Sequence, residues 1–81
     1  MYICCWFNQL QLSIEKIKKQ LGDNIIYHRK KVNMTQEDLS FISDVDRKYI
    51  HMIEKGISNP SIEIIYKISE SLNVDFKDLL S

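Results

Sequence analysis

The sequence predicts an all-α fold in which a compact helical domain follows an N-terminal extension. Apolar residues recur at intervals of three and four along most of the chain, which is the spacing of one helix face. Residues that cap helices stand directly before several of these apolar runs. The apolar and polar alternation typical of strands is absent from the central and C-terminal parts. Together these observations favour helices from the middle of the chain to its end.

The N-terminal part predicts one helical face with an interruption. The face is formed by residues three or four apart, namely Leu10, Ile14, Ile17, Leu21, Ile25, His28 and Val32. One long helix fits this spacing, but Gly22 lies inside it and Asp23 can cap a new helix, so we expect a break there. The chain then divides into an extension of residues 1–20 and a domain of residues 21–81. The extension is expected to be helical, or a short strand over residues 2–7 followed by a helix.

The central part predicts two short helices joined by a tight turn. Thr35 and Asp46 each precede a helical pattern, and their side-chain oxygens can accept hydrogen bonds from the first-turn N–H groups. The apolar positions expected to face a common core are Leu39, Ile42, Val45, Ile50 and Ile53. Asn33 and Gly56 are suitable left-handed residues to end the helices that precede them. Both central helices are therefore short and bounded at each end.

The C-terminal part predicts two further helices. Asn59, Pro60 and Ser61 form a turn that leads to an N-cap. The next apolar stripe comprises Ile62, Ile65, Ile68 and Leu72. Asp75 then caps a short last helix, whose apolar residues are Phe76, Leu79 and Leu80.

Composition indicates one small globular domain without a membrane span. The chain has 81 residues, of which 44% are hydrophobic, and 11 cationic and 11 acidic side chains cancel. No apolar run is long enough to cross a bilayer, and residues 1–7 lack the cationic start and cleavage site of a secretion signal. Adjacent Cys4 and Cys5 are poorly spaced for a disulfide, so we expect free thiols in a reducing cytoplasm. Zinc held by these thiols with His28 and His51 is the alternative, but no metal-binding spacing links them.

A cationic face on the second central helix is the main candidate for a functional site. Opposite Ile50 and Ile53, this helix carries polar and basic residues. A planar guanidinium in the first turn of such a helix can bond two acceptors on guanine, which makes Arg47 the first candidate for base reading. The full set of candidate base-reading residues is Arg47, Lys48, Tyr49, His51 and Met52. The competing interpretation is a solvated surface, with Tyr49 partly in the core.

A longer string of residues resembles a known family. It comprises Leu21-Gly22, Ile25, Arg29, residues 35–39, Val45, Tyr49-Ile50, residues 53–56, residues 59–61 and residues 72–74. The string is similar to the helix-turn-helix regulators of Cro and phage-repressor type, and within them to the controller proteins of restriction-modification operons. The resemblance implies a compact five-helix, lambda-repressor-like DNA-binding domain. Asp44 stands at the turn position usually given to glycine, and His28 replaces a usual core leucine.

The resemblance also implies roles for residues outside the cationic face. In the family, the acidic residue equivalent to Glu54 pairs with an arginine of the first helix, which is Arg29 here. Family positions for phosphate contacts, together with the loop after the second central helix, give the candidates Thr35, Gln36, Lys55, Ser58 and Asn59. No cofactor and no metal site is expected.

The leading functional hypothesis is a sequence-specific DNA-binding transcriptional regulator of the cytoplasm. One helix covers few base pairs, so we expect a homodimer on a palindromic operator, with recognition helices about 34 Å apart. The candidate dimer residues are Ile64, Tyr66, Phe76 and Leu80, and the extension offers a second surface. The alternative is an antitoxin-type module that captures a protein partner and also binds operator DNA. No catalytic motif is recognisable, so an enzyme is not expected.

Overall fold

The structure, a computed structural model, describes the backbone of residues 2–80 and the side chains of residues 13–80. Within residues 2–80 it consists of five helices and contains no strand. The helices are α1 (Tyr2–Lys31), α2 (Gln36–Ser43), α3 (Arg47–Glu54), α4 (Ile62–Leu72) and α5 (Phe76–Leu80). The predicted all-α class is confirmed.

Helix α1 runs without interruption through the position where a break was expected. It covers 30 residues, so both the break near Leu21 and the short strand over residues 2–7 were wrong. A helix of this length extends about 45 Å, and the molecule measures 48 × 22 × 19 Å. Gly22 costs an isolated helix about 1 kcal/mol relative to alanine. Its presence is explained by packing rather than by a helix end, because the C-terminus of α3 lies directly against it.

The predicted helix boundaries in the rest of the chain are confirmed by backbone geometry. Asn33, Asp44 and Asn73 adopt the left-handed conformation with φ of 58° to 59°, and Gly56 does so with φ of 77°. A backbone hydrogen bond ends each of the helices α1 and α3. The Asn33 N–H donates to the Lys30 carbonyl after α1, and the Gly56 N–H donates to the Ile53 carbonyl after α3. Asp44 therefore takes the turn conformation that glycine adopts most easily.

One core joins the five helices. Its buried apolar side chains are Leu21, Ile25, Leu39, Val45, Ile50, Ile53, Ile65, Ile68, Leu72 and Leu79. Helix α1 packs against α3 and α5, α2 packs against α3 and α4, and α4 packs against α5. No helix among residues 2–80 has a stretch both long and apolar enough to cross a lipid bilayer.

Two residues predicted for the core lie outside it. Ile42 is 55% exposed and Ile62 is 75% exposed. The buried side of α2 is centred on Leu39 and Ser43, one helical turn apart, and the Ser43 hydroxyl donates to the Leu39 carbonyl at 2.6 Å. That axis leaves Ile42 at the edge of α2. Ile62 is the first residue of α4, where the helix has not yet reached the core.

Candidate nucleic-acid interface

Helices α2 and α3 form a fixed unit because the turn between them is bonded to α2. The Ser40 hydroxyl donates to the Val45 carbonyl at 2.6 Å, and the Val45 side chain is buried. Asp46 then begins α3 by accepting a hydrogen bond from the Lys48 N–H at 3.2 Å. Local bonds of this kind fix where α3 starts.

The C-terminus of α3 rests on the backbone of α1. A Cβ added to Gly22 would lie 2.6 Å from the Glu54 carbonyl oxygen and 2.7 Å from that of Ile53. A Cβ on Gly56 would lie 3.2 Å from the Lys19 Cα. At Gly22 the contacts are with backbone oxygens and shorter than 3.0 Å, so a side chain would force the two elements apart, whereas at Gly56 the neighbouring backbone would have to give by a few tenths of an ångström. The position of α3 therefore depends on a glycine in α1.

A hydrogen-bonded ion pair links α1, α2 and α3. The Arg29 guanidinium donates to both oxygens of Glu54, with Nε–Oε2 at 3.0 Å and Nη2–Oε1 at 3.1 Å. Its Nη1 also donates to the Met34 carbonyl at 2.9 Å. Gln36 Nε2 donates to Glu54 Oε1 at 3.0 Å. The two ion-pair side chains are only 12% and 4% exposed, so the pair expected from the resemblance is present and largely shielded from water.

The opposite side of α3 faces solvent and is cationic. Arg47, Lys48, His51 and Lys55 are exposed, and Met52 is 40% exposed. These side chains lie opposite the fully buried Ile50 and Ile53. We call the set Arg47, Lys48, His51, Met52 and Lys55 the cationic face. Tyr49, the remaining base-reading candidate, is half-buried and packs against the core.

The candidates for phosphate binding surround the N-terminus of α2 and the loop after α3. Thr35 Oγ1 accepts from the Asp38 N–H at 3.0 Å, and the Thr35 N–H donates to the Asp38 carboxylate at 3.1 Å. Hydrogen bonds that the Asp38 carboxylate accepts from the backbone and the side chain of Thr35 hold the pKa of Asp38 below its usual value of 3.8. Lys55 and Asn59 are exposed, and Ser58 is half-buried.

Gln36 sits between the ion pair and the cationic face. Besides its bond to Glu54, its Nε2 lies 3.4 Å from His51 Nδ1. Glu54 is an acceptor, so the amide NH₂ of Gln36 faces it, and the same NH₂ group lies beside His51 Nδ1. Part of the hydrogen-bonding capacity predicted for phosphate is thus used inside the protein.

The dimer candidates divide into exposed and partly buried residues. Tyr66 is 53% exposed and Leu80 is 37% exposed. Ile64 and Phe76 pack partly against the protein's own core, so much of their apolar surface is already covered. The Tyr66 hydroxyl bonds to Glu70, and this bond raises the pKa of Tyr66.

Sequence reasoning missed Gly22, Lys18 and Lys19 as parts of this region. A small residue inside an otherwise amphipathic helix was the available signal, since it marks a place where another backbone can approach. The two lysines border Gly56 at the end of α3 and had no local signal. No group of three potential metal ligands occurs within the described part of the chain, and the side chains of Cys4 and Cys5 lie outside that part.

Comparison with known proteins places this geometry in a family. The family described as Helix-turn-helix, HTH_3, matches residues 25–79. The chain belongs to this helix-turn-helix family. Its members are DNA-binding transcriptional regulators rather than enzymes, and the resemblance predicted from the sequence is confirmed.

Individual relatives sharpen the similarity to controller proteins. Control protein C.BamHI from Bacillus amyloliquefaciens is 52% identical over 50 residues, which is 62% of either chain. An uncharacterized HTH-type regulator from Methanocaldococcus jannaschii is 40% identical over 59 residues, 73% of this chain and 89% of its own. The restriction-modification controller protein C.AhdI from Aeromonas hydrophila has a similar structure, with a TM-score of 0.75 and 29% identity. That likeness covers 76% of this chain and 94% of C.AhdI.

Proposed function

We propose that this protein is a sequence-specific transcriptional regulator that reads operator DNA with α3. The observation that carries the proposal is the contrast between the two sides of this helix. Its inner side is fixed by Ile50, Ile53 and the Arg29–Glu54 pair, while its outer side carries the cationic face. A rigid helix with exposed cationic and hydrogen-bonding side chains is suited to enter the major groove.

Individual roles follow from position along α3. Arg47 occupies the first helical turn, where a guanidinium can bond the O6 and N7 atoms of guanine. Lys48 and His51 offer further donors, and Met52 offers an apolar contact to a thymine methyl group. Tyr49 contributes through its exposed edge while its ring supports the core.

Phosphate contacts are assigned to both ends of the motif. Thr35 and Gln36 lie at the N-terminus of α2, where backbone N–H groups and the helix dipole favour an anion. Lys55, Ser58 and Asn59 lie in the loop after α3. Such contacts hold the helix in register on the duplex but carry no sequence information.

The operator is proposed to be palindromic and bound by a homodimer, because one recognition helix reads too few base pairs for useful affinity. Tyr66 and Leu80 provide the exposed part of the dimer surface, with Ile64 and Phe76 supporting it from the core. We further propose that it acts in the cytoplasm and autoregulates a restriction-modification operon. The similarity to C.BamHI, a control protein, and to C.AhdI, a restriction-modification controller protein, supports the link to restriction-modification.

A titration of DNA tests this proposal. The operator is first selected from a random duplex library, and fluorescence anisotropy then compares it with a scrambled duplex at 50 and 200 mM salt. Several phosphate contacts in each of two protomers predict a roughly 10³-fold loss of affinity between the two salt concentrations. The Lys30→Ala variant, which removes a cation from the exposed side of α1, is the control and should bind normally. Binding that ignores sequence and salt would reject the proposal.

An antitoxin-type interaction module remains the second candidate. The observation that favours it is the exposure of Ile14 and Ile17 on α1, at 44% and 51%. In this case the full chain should capture a toxin encoded beside its own gene, and Ile14→Asp with Ile17→Asp should abolish the capture while sparing DNA binding. If neither the wild-type chain nor the double variant retains such a partner, this candidate is excluded.

A further inference from the structure

The N-terminal half of α1 extends beyond the rest of the molecule, residues 18–80, which we call the body. Lys18 and Lys19 of α1 border Gly56, which follows α3. We call residues 2–17 of α1 the overhang. On the same helix face, Leu21 and Ile25 are 3% and 0% exposed within the body, whereas Ile14 and Ile17 are 44% and 51% exposed. One continuous apolar face is therefore covered at one end and open at the other.

The sequence continues this face through the whole overhang with a heptad pattern. Apolar residues stand at alternating steps of four and three at Ile3, Phe7, Leu10, Ile14, Ile17 and Leu21. The average step of 3.5 residues is the one that keeps an apolar seam in contact with a second helix over several turns. The backbone is helical from residue 2, so all of these positions belong to one element. Among the positions of this series whose side chains the structure describes, the core buries Leu21 and leaves Ile14 and Ile17 exposed.

We infer that the overhang pairs with the overhang of a second copy of this chain as an antiparallel two-helix coiled coil. An unpaired helix end of this kind is marginal in water, since most helical stability comes from packing of an apolar face. A second copy offers an identical seam of the same length. This contact is separate from the operator dimer through Tyr66 and Leu80, and it joins two DNA-binding units.

The antiparallel orientation follows from where the body sits. The seam is on the same face of α1 that packs against α3 and α5. Two parallel overhangs with facing seams would bring both bodies into the same space between the helices. In the antiparallel arrangement, each body lies beyond the N-terminus of the partner helix, and the two bodies do not meet.

The charge distribution favours the same orientation. The body-proximal part of the overhang and the residues next to it carry Glu15, Lys16, Lys18 and Lys19, whereas residues 2–6 are uncharged. Antiparallel pairing centred near Leu10 sets the charged part of one helix beside the uncharged part of the other. Parallel pairing would place two lysine clusters side by side, where like charges repel.

The area of the seam predicts a weak association that depends on concentration. Each copy contributes five apolar positions of the overhang. If each position buries the area of one aliphatic side chain, the pairing of two copies removes roughly 600–1,200 Å² from water. Stable specific interfaces begin at about 1,200 Å². The pairing should therefore be detectable by mass and reversible on dilution.

Sedimentation of the full chain without DNA tests the pairing. The double variant Ile14→Asp with Ile17→Asp should lose one association step, so that its average mass stays well below that of the wild type at every concentration where the wild type pairs through the overhang. Lys16→Asp, a charge change on the outer side of the overhang, should not alter the mass. Ile14→Leu with Ile17→Leu should associate normally. Circular dichroism and urea unfolding confirm that each variant keeps the folded body.

A distance measurement tests the orientation. Spin labels are placed at Asp23→Cys in a background in which Cys4 and Cys5 are serine. Asp23 is exposed, and antiparallel pairing centred near Leu10 separates the two labelled positions by about 40 Å along the helix axes. Parallel pairing would bring these positions within about 20 Å, given interhelical distances of 8–10 Å.

The inference is overturned if the aspartate double variant keeps the wild-type mass, or if the wild type is monomeric at every concentration. Capture of a different protein by a monomeric wild type would also overturn it, in favour of a heterologous partner. Because all of these measurements are made without DNA, a double variant that keeps the wild-type mass leaves the DNA-binding proposal untouched. A wild type that is monomeric at every concentration would also count against a preformed operator dimer, but not against DNA reading by α3. Likewise, an absence of DNA binding would not affect the pairing result.

Discussion

Helix α3 and the overhang of α1 both expose side chains to solvent, but they differ in what lies behind them. Behind the cationic face are two fully buried isoleucines, a shielded ion pair and two close backbone contacts with α1. Behind the overhang, the apolar residues Ile14 and Ile17 are themselves the exposed ones. An exposed residue on a fixed element can read a rigid ligand, whereas exposed apolar residues on an extending helix call for a partner.

This comparison predicts its largest effect at Glu54. Replacing Glu54 by alanine leaves the Arg29 guanidinium shielded without its carboxylate, which costs about 3 kcal/mol or more of unfolding free energy. Urea denaturation followed by circular dichroism measures the loss. The exposed Glu63 pairs with Lys67 at 3.8 Å, and Glu63→Ala is the matched control, expected to cost less than about 1 kcal/mol. Equal losses for the two variants would show that the pair does not hold α3.

The next effect is expected at Gly22. In Gly22→Ala, the new methyl group meets the carbonyl oxygens of Ile53 and Glu54, so the end of α3 must move away from α1. Overpacking of this kind costs about 1–3 kcal/mol, although alanine itself favours a helix. Urea denaturation reports the stability and operator titration reports the affinity, and both should fall. Ser13→Ala, at an exposed α1 position, is the control; a more stable Gly22→Ala protein would contradict the packing explanation.

Substitutions in the overhang should hardly change the stability of the body. Ile14→Asp and Ile17→Asp alter exposed side chains, so the unfolding free energy measured at protein concentrations too low for association should change by about 0.5 kcal/mol or less. Thermal unfolding at low and high concentration separates this small term from association. A large loss at low concentration would mean that the overhang is part of the folded body.

The smallest effect concerns the pH dependence at the start of α2. Hydrogen bonds from Thr35 lower the pKa of Asp38 in the folded protein, so its ionised form contributes stability above the unfolded pKa. That contribution is lost as the pH falls from about 4 through the lower folded pKa. Urea titrations between pH 2 and 6 should show a shallower loss of stability for Asp38→Asn than for the wild type. If stability falls with pH equally for the wild type and for Asp38→Asn, Asp38 does not make this contribution.

Local chemistry in the sequence predicted the helix boundaries well. Thr35, Asp46 and Ser61 begin helices through their side-chain oxygens, and Asn33 and Gly56 follow helices in the left-handed conformation. Each of these interactions joins residues only a few positions apart. A single sequence contains the whole interaction, so these boundaries could be predicted without the fold.

Interactions between distant parts of the chain explain the wrong predictions. Gly22 was interpreted as a helix break because its contact, the end of α3, lies about thirty residues later. Ile42 and Ile62 have the spacing of core residues, but α2 is buried on the side of Leu39 and Ser43, and Ile62 is the first residue of α4. The Arg29–Glu54 pair is equally long-range, and it was anticipated through the family resemblance rather than through spacing.

The most direct test of the central claim is a titration of the Arg47→Ala variant against the selected operator and its single base-pair variants. If the cationic face reads bases, Arg47→Ala should lose about 1–3 kcal/mol on the operator and should lose discrimination at one base pair per half-site, with unchanged stability. If Arg47→Ala weakens the affinity for every duplex equally, Arg47 contacts phosphate rather than a base. Unchanged affinity and unchanged discrimination would contradict the assignment of α3 as the reading helix.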